Sequence, residues 1–291
     1  MKHPTLAALP LIAFLGALAA PLDAASAEPL LVGIAARISP RESYAYYDRL
    51  LAYVGKKLGR HVEMVQFSTY DEMDTALERR DLDYAFICSG PYVRDHAKFG
   101  VELLAAPQSH GQPFYYAYVI VPAASPARTL ADLRGKRFAF TDRKSNTGRL
   151  VPTYLVQREF GVSPESWFSS IGYLGSHDAA IDAVDAGTVD GASVDSLIFD
   201  YVAARNPGRV KNVRILMKSP PFGIPPVVVN RRADPAVRKH VRDVLLSMHS
   251  DPEGQRILDG IMVDRFIVPI DANYDAVREM ESWLAGQARA R

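Results

Sequence analysis

The sequence predicts an α/β protein of two lobes, each a mixed β-sheet flanked by helices, with two crossover strands joining them. Three observations predict it. Short apolar, β-branched runs alternate with helical patterns, which implies parallel or mixed sheets. That alternation is interrupted twice, by a turn-rich segment at 108–113 and by a segment with two proline pairs at 219–226. The chain has 291 residues, too long for one small core and comfortable for two. Lobe 1 is expected to comprise 28–116 and 222–291, and lobe 2 to comprise 117–221.

The first 27 residues read as a secretory signal peptide. Lys2 and His3 precede an apolar run at 6–20, and Ala25-Ser26-Ala27 supplies small residues for cleavage. About fifteen apolar residues, broken by Pro10 and Gly16, fall short of the ~20 needed to span a bilayer. Cleavage after Ala27 and export to the periplasm are therefore expected. No cysteine lies near the cleavage point, so no lipid attachment is expected, and removing 27 of 291 residues leaves 264.

The first unit is an apolar run at 30–36 followed by a helical pattern through Tyr46, Leu50, Leu51, Val54 and Leu58, which stops at Gly59. The next has a strand at 61–67, a helix at about 69–80 and a buried strand at 84–87. After a run at 101–106, the turn-rich interruption and the aromatic extended run 115–121 read as the first crossing between lobes. The second lobe opens with a capping pattern at Thr129 and Asp132. It continues through a strand at 137–141, a helix from about Ser145, a strand near 171–174, a helix at 176–186, a strand at 190–194 and a helix at 195–204. The run 213–218 and the proline-stiffened segment form the return crossing. Helices at 235–249, 252–259 and about 274–288 end the chain.

Composition narrows the function. A formal net charge of +1 with interspersed acids and bases gives no footprint for nucleic acid or an anionic membrane surface. An anionic ligand must therefore be held locally. Cys88 is the only cysteine, so stability rests on packed cores rather than a disulfide. The seven histidines show no metal-binding spacing, and neither a metal nor a cofactor is expected.

The residues that fit local anion capture lie in Thr141-Asp142-Arg143-Lys144-Ser145-Asn146-Thr147-Gly148, followed by Pro152. A strand end runs there into hydroxyl and amide residues and then into a helix. The first amides of a helix have no intrahelical partners and its dipole places partial positive charge beside them, so an oxyanion collects several hydrogen bonds at once. Ser145 read alone is equally a plain N-cap.

Together with Gly175-Ser176-His177-Asp178 and Val189-Asp190-Gly191-Ala192, this stretch resembles the phosphonate-, phosphite- and phosphate-binding proteins of ABC transporters, which have the type 2 periplasmic binding protein fold. The resemblance implies a small oxyanion captured between two lobes and delivered to an inner-membrane permease, without catalysis. It implies ligand contacts from Ser145, Asn146 and Thr147, from Tyr70 and Tyr115, and from His177. Phenol and imidazole N–H groups are suitable donors to such an anion, and a protonated histidine would add charge.

Two departures bear on the ligand. Where amine-binding members of that family have carboxylates for an ammonium, the resemblance places Leu197 and Ile224 in this chain; Asp195 is a substitute or an N-cap. Cys88 ends a first-lobe strand, where open α/β sheets face their crevice. A branch resembling this family senses arsenite through a single cysteine, so one alternative is an oxyanion sensor that uses Cys88 and signals to a membrane histidine kinase. A remote alternative is an exported enzyme with Cys88 as nucleophile and His177 as base.

Overall fold

A computed structural model describes residues 28–289; the expected signal segment lies outside the described residues. The first lobe alternates β1 (Leu30–Ile34), α1 (Pro40–Leu58), β2 (Val62–Gln66), α2 (Tyr70–Arg79), β3 (Tyr84–Phe86), α3 (Ser89–Phe99) and β4 (Glu102–Gln108). The chain leaves through β5 (Phe114–Tyr115). The second lobe holds β6 (Ala117–Pro122), β7 (Arg137–Phe140), α4 (Val151–Phe160), the short α5 (Pro164–Trp167), β8 (Ser170–Tyr173), α6 (His177–Asp185), β9 (Gly191–Asp195), α7 (Ser196–Arg205) and β10 (Val213–Lys218). The return runs through β11 (Phe222–Gly223), β12 (Val227–Val229), α8 (Pro235–Ser247), α9 (Pro252–Gly260), β13 (Arg265–Ile267) and α10 (Asp275–Arg289).

Strand register follows from burial. One sheet has the order β13-β4-β12-β3-β1-β2, the other β10-β6-β9-β7-β8. In the first, β1 lies parallel to both β2 and β3; in the second, β7 lies parallel to both β8 and β9. The three parallel strands of each lobe therefore end at one edge. The central strands β1, β3 and β12 are apolar and almost wholly buried, as strands covered by helices on both faces must be, and β9 is fully buried although it carries Ser193 and Asp195. Leu30, Val32 and Ile34 pack one face of the first sheet on Leu50, Val54 and Leu245. Ile120, Ala192 and Val194 pack on Ile181, Val184 and Ile198 in the second lobe.

The two crossings pair with each other: β5 and β11 form an antiparallel ribbon, Phe222 opposite Tyr115 and Gly223 opposite Phe114. The expected aromatic strand 115–121 is thus two strands in different sheets. The turn before it closes through a Ser109–Gln112 bridge, with His110 and Gly111 at positive φ. The expected capping pattern at Thr129 and Asp132 leads only into a single 3₁₀ turn at Ala131–Leu133 that has no side-chain cap; Asp132 Oδ2 instead accepts from the amides of Arg128 and Thr129. Helix α3 and strand β13 lie outside the sequence expectation. Gly90 and Pro91 are poor residues for a helix interior, yet Ser89, Gly90 and Pro91 lie in the first turn of α3, where a proline's missing N–H costs nothing.

Candidate functional site

Six parallel strand ends, three per lobe, lead into the crevice. In lobe 1, β1 is followed by Arg37, β2 by Tyr70 and β3 by Cys88. In lobe 2, β7 is followed by Ser145, Asn146 and Thr147, β8 by His177, and β9 ends at Asp195. Tyr70 and His177 each begin a helix, while Cys88, Ser145 and Asp195 are N-caps. The crevice therefore faces five helical N-termini, each carrying partial positive charge and unpaired amides. That potential arises without a net excess of basic side chains.

The seat itself differs from the expected α-helix start. Residues Asn146–Leu150 form a single π-helical turn before α4, and Ser145 caps it by accepting from the amide of Gly148 at 3.0 Å. Gly148 is required by close approach: a Cβ there would lie 1.9 Å from Thr141 Oγ1. Ser145, Asn146 and Thr147 are fully buried. Thr147 Oγ1 and Tyr70 Oη are buried and have no protein partner, although burying a hydroxyl without one is costly.

Tyr115 comes from the crossover β5 and is completely buried; its hydroxyl accepts from Asn146 Nδ2 at 3.1 Å and lies 3.9 Å from Cys88 Sγ. Burial raises the pKa of both Tyr70 and Tyr115 well above the ordinary phenol value. Both stay protonated and keep a hydrogen to donate. His177 Nδ1 accepts from the backbone amide of Asp195 at 3.0 Å, which puts the proton on Nε2, 3.5 Å from Ser145 Oγ. Burial pushes the imidazole down to about 4. The expectation of a protonated, charge-bearing His177 is thus corrected: at neutral pH it is a neutral donor.

Asp195 is fully buried and both of its carboxylate oxygens are used. Oδ1 accepts from the Leu197 amide at 2.8 Å as the N-cap of α7, and Oδ2 accepts from Arg37 at 2.8 Å. Arg37, which the sequence did not single out, lies within electrostatic range of Tyr70 and Cys88, and its carbonyl accepts from the His177 amide. Cys88 and His177 form no nucleophile–base pair, since each side chain is engaged elsewhere. No cluster of metal ligands occurs among the described residues.

The lobes meet around this seat. Ser39 N donates to Asp178 Oδ1 and Tyr70 N to Asp142 Oδ2. Lys144 Nζ lies 2.6 Å from both Asp71 and Asp74, and Arg94 donates to the Lys144 carbonyl.

Comparison with known proteins agrees with this architecture. Residues 32–274 match the family described as ABC transporter, phosphonate, periplasmic substrate-binding protein. A probable ABC transporter phosphite binding protein of Prochlorococcus marinus is 22% identical over 238 residues, 78% of this chain and 80% of that one. Its structure with methylphosphonate superposes with a TM-score of 0.78, covering 88% of this chain and 98% of that one. The binding component of an ABC phosphonate transporter from Pseudomonas aeruginosa, 20% identical, superposes at 0.84 over 90% and 88%. A phosphate-import protein of Mycolicibacterium smegmatis is 29% identical over 184 residues, 58% of this chain and 57% of that one. The fold is that of a type 2 periplasmic binding protein, and the chain belongs to the family of periplasmic substrate-binding proteins of ABC phosphonate transporters.

Proposed function

We propose that this protein captures a small phosphorus oxyanion, namely phosphite, phosphate or a short alkylphosphonate, between lobes 28–116 with 222–291 and 117–221, and presents it to an ABC permease. Cleavage after Ala27 would release it into the periplasm. The observation that carries this reading is the set of buried, unpartnered or half-used donors at one seat: Thr147 Oγ1, Tyr70 Oη, Tyr115 Oη and His177 Nε2. An oxyanion is the partner class whose several acceptor oxygens satisfy converging donors of this kind at once.

In this reading the anion lands first on the Ser145–Thr147 turn of lobe 2, where Asn146 and Thr147 contribute first-turn amides. Tyr70 and Tyr115 then complete the shell as lobe 1 closes. Cys88 and Asp195 border the seat. Relatives named for phosphite and phosphate, and a relative bound to methylphosphonate, support the ligand class.

Thr147→Val keeps the volume and removes one donor; Tyr70→Phe removes the other. Each is expected to weaken phosphite binding about 10- to 100-fold by calorimetry, the cost of one charge-assisted hydrogen bond. Full affinity in both variants would remove the seat from the binding account.

A further inference from the structure

The seat contains an ion pair that oxyanion capture does not by itself require. Arg37 follows β1 in lobe 1 and Asp195 ends β9 in lobe 2; they meet at 2.8 Å, with the Asp195 side chain fully buried. Burying two charges is costly, and apolar side chains often hold an interface as well. Burial would lower the pKa of Arg37, but the Asp195 carboxylate beside it holds it well above the ordinary value. Arg37 therefore keeps its charge, directed at the Asp195 carboxylate.

A buried carboxylate next to an anion seat is where a ligand's cationic group would pair. Asp195 stands there, its own amide on His177 Nδ1. The other carboxylates facing the crevice are occupied too. Asp142 accepts from the amides of Tyr70 and Lys144, and Asp178 from Ser39 N and Ser176 Oγ, with Arg209 at 3.6 Å. Beyond Arg37, a cavity of about 30 Å³ is bordered by Leu197, Ile224, Tyr47 and Phe86, enough for one or two water-sized groups. Asp200 also borders it, but faces Lys218 and His110.

We propose that Arg37 is a specificity-determining residue: its guanidinium fills the Asp195 carboxylate as a built-in counter-ion and reserves the seat for oxyanions that carry no ammonium. This rests on the oxyanion reading above. Arg37 Nε, buried and without a protein partner, remains available to an oxyanion oxygen. An amine-bearing phosphonate has to displace Arg37 or leave its own ammonium unpaired in a desolvated crevice, and either is expensive.

The test is calorimetry on the wild-type protein, Arg37→Gln and Arg37→Gln/Asp195→Asn with phosphite, propylphosphonate and 2-aminoethylphosphonate. Wild type is expected to bind phosphite and to prefer propylphosphonate at least tenfold over its ammonium-bearing counterpart of equal shape. Arg37→Gln bares Asp195: phosphite weakens about 100-fold and 2-aminoethylphosphonate gains at least tenfold. The double variant regains phosphite to within about tenfold of wild type and loses the amine ligand again. Equal wild-type binding of the two isosteric phosphonates overturns the Arg37 assignment, and this holds even where Arg37→Gln fails to fold. So does a loss in Arg37→Gln that is the same for both charge types. Failure of wild type to bind any of the three overturns the oxyanion reading itself, and the Arg37 assignment with it.

Discussion

A histidine beside a proposed anion seat invites a charge-based account, and His177 shows how burial decides otherwise. Its imidazole is fully buried, its Nδ1 is committed to the Asp195 amide, and its pKa is pushed down to about 4. At neutral pH it offers one N–H and no charge, so phosphite affinity should not follow a histidine titration between pH 8 and 6. Stability should respond instead. The folded pKa lies below the unfolded value near 6.5, so the unfolded chain takes up the proton first. The stabilisation is fully present above about pH 6.5 and is lost as pH falls towards 4, by about 3 kcal/mol in all. A melting-temperature profile should show that fall in the wild type and a flatter one in His177→Gln. A binding curve with a midpoint near 6.5 in the wild type that disappears in His177→Gln would show a charged imidazole at work, since the ligand's own ionisation is common to both.

At the scale of elements, the site is made of beginnings. Each contributing helix starts where a parallel strand stops, so the sheet order alone delivers five N-termini to one crevice. The start of α3 is also a contact surface. A Cβ on Gly90 would lie 2.8 Å from the Lys144 carbonyl, across the lobe boundary and one residue before the seat. Gly90→Ala should leave the fold of the open protein intact, since the clash is only with the other lobe. It should weaken ligand binding about tenfold or more, because backbone cannot give way as a flexible side chain can. Equal melting temperatures without ligand, together with a reduced ligand-induced shift, would be the signature; an unchanged shift would mean that the lobes close without this contact.

The strand–helix alternation and the Ser145–Thr147 turn were legible because their signals are local: period, caps and turn residues. Arg37 was not, because one arginine after a strand looks like any solvated charge and its partner lies 158 residues away. Helix α3 was hidden by Gly90 and Pro91, residues that break helix interiors but not first turns. The neutral state of His177 was illegible for a related reason, since desolvation is a property of the closed crevice and not of the peptide.

Across the whole molecule, the proposed capture would make binding and closure one event, because the same loop serves both. Residues 142–147 present the seat with Ser145 to Thr147 and grip lobe 1 with Asp142 and Lys144. Lys144 reaches Asp71 and Asp74 on α2, and behind Asp74 the carboxyl of Asp95 is pushed up to about 8 by burial and by Asp74 itself. Burial thus favours a proton on the Asp74–Asp95 pair, while Lys144 pairs with Asp71 and Asp74 on α2. Lys144→Met removes the grip without touching the seat donors, so it should act on the lifetime of the closed form. The dissociation rate is expected to rise about tenfold, with association and the ranking of ligands little changed, as is usual when a contact forms only in the final complex. Trp283 of α10 packs edge-on against Tyr154 of α4 at 5.1 Å, and α10 also packs on α3 of the first lobe. Its fluorescence in a Trp167→Phe background offers a stopped-flow readout of closure. A change confined to the association rate would place Lys144 in steering the anion inward, and no change in either rate would leave the lobes held by the Arg37–Asp195 and Ser39–Asp178 contacts without help from α2.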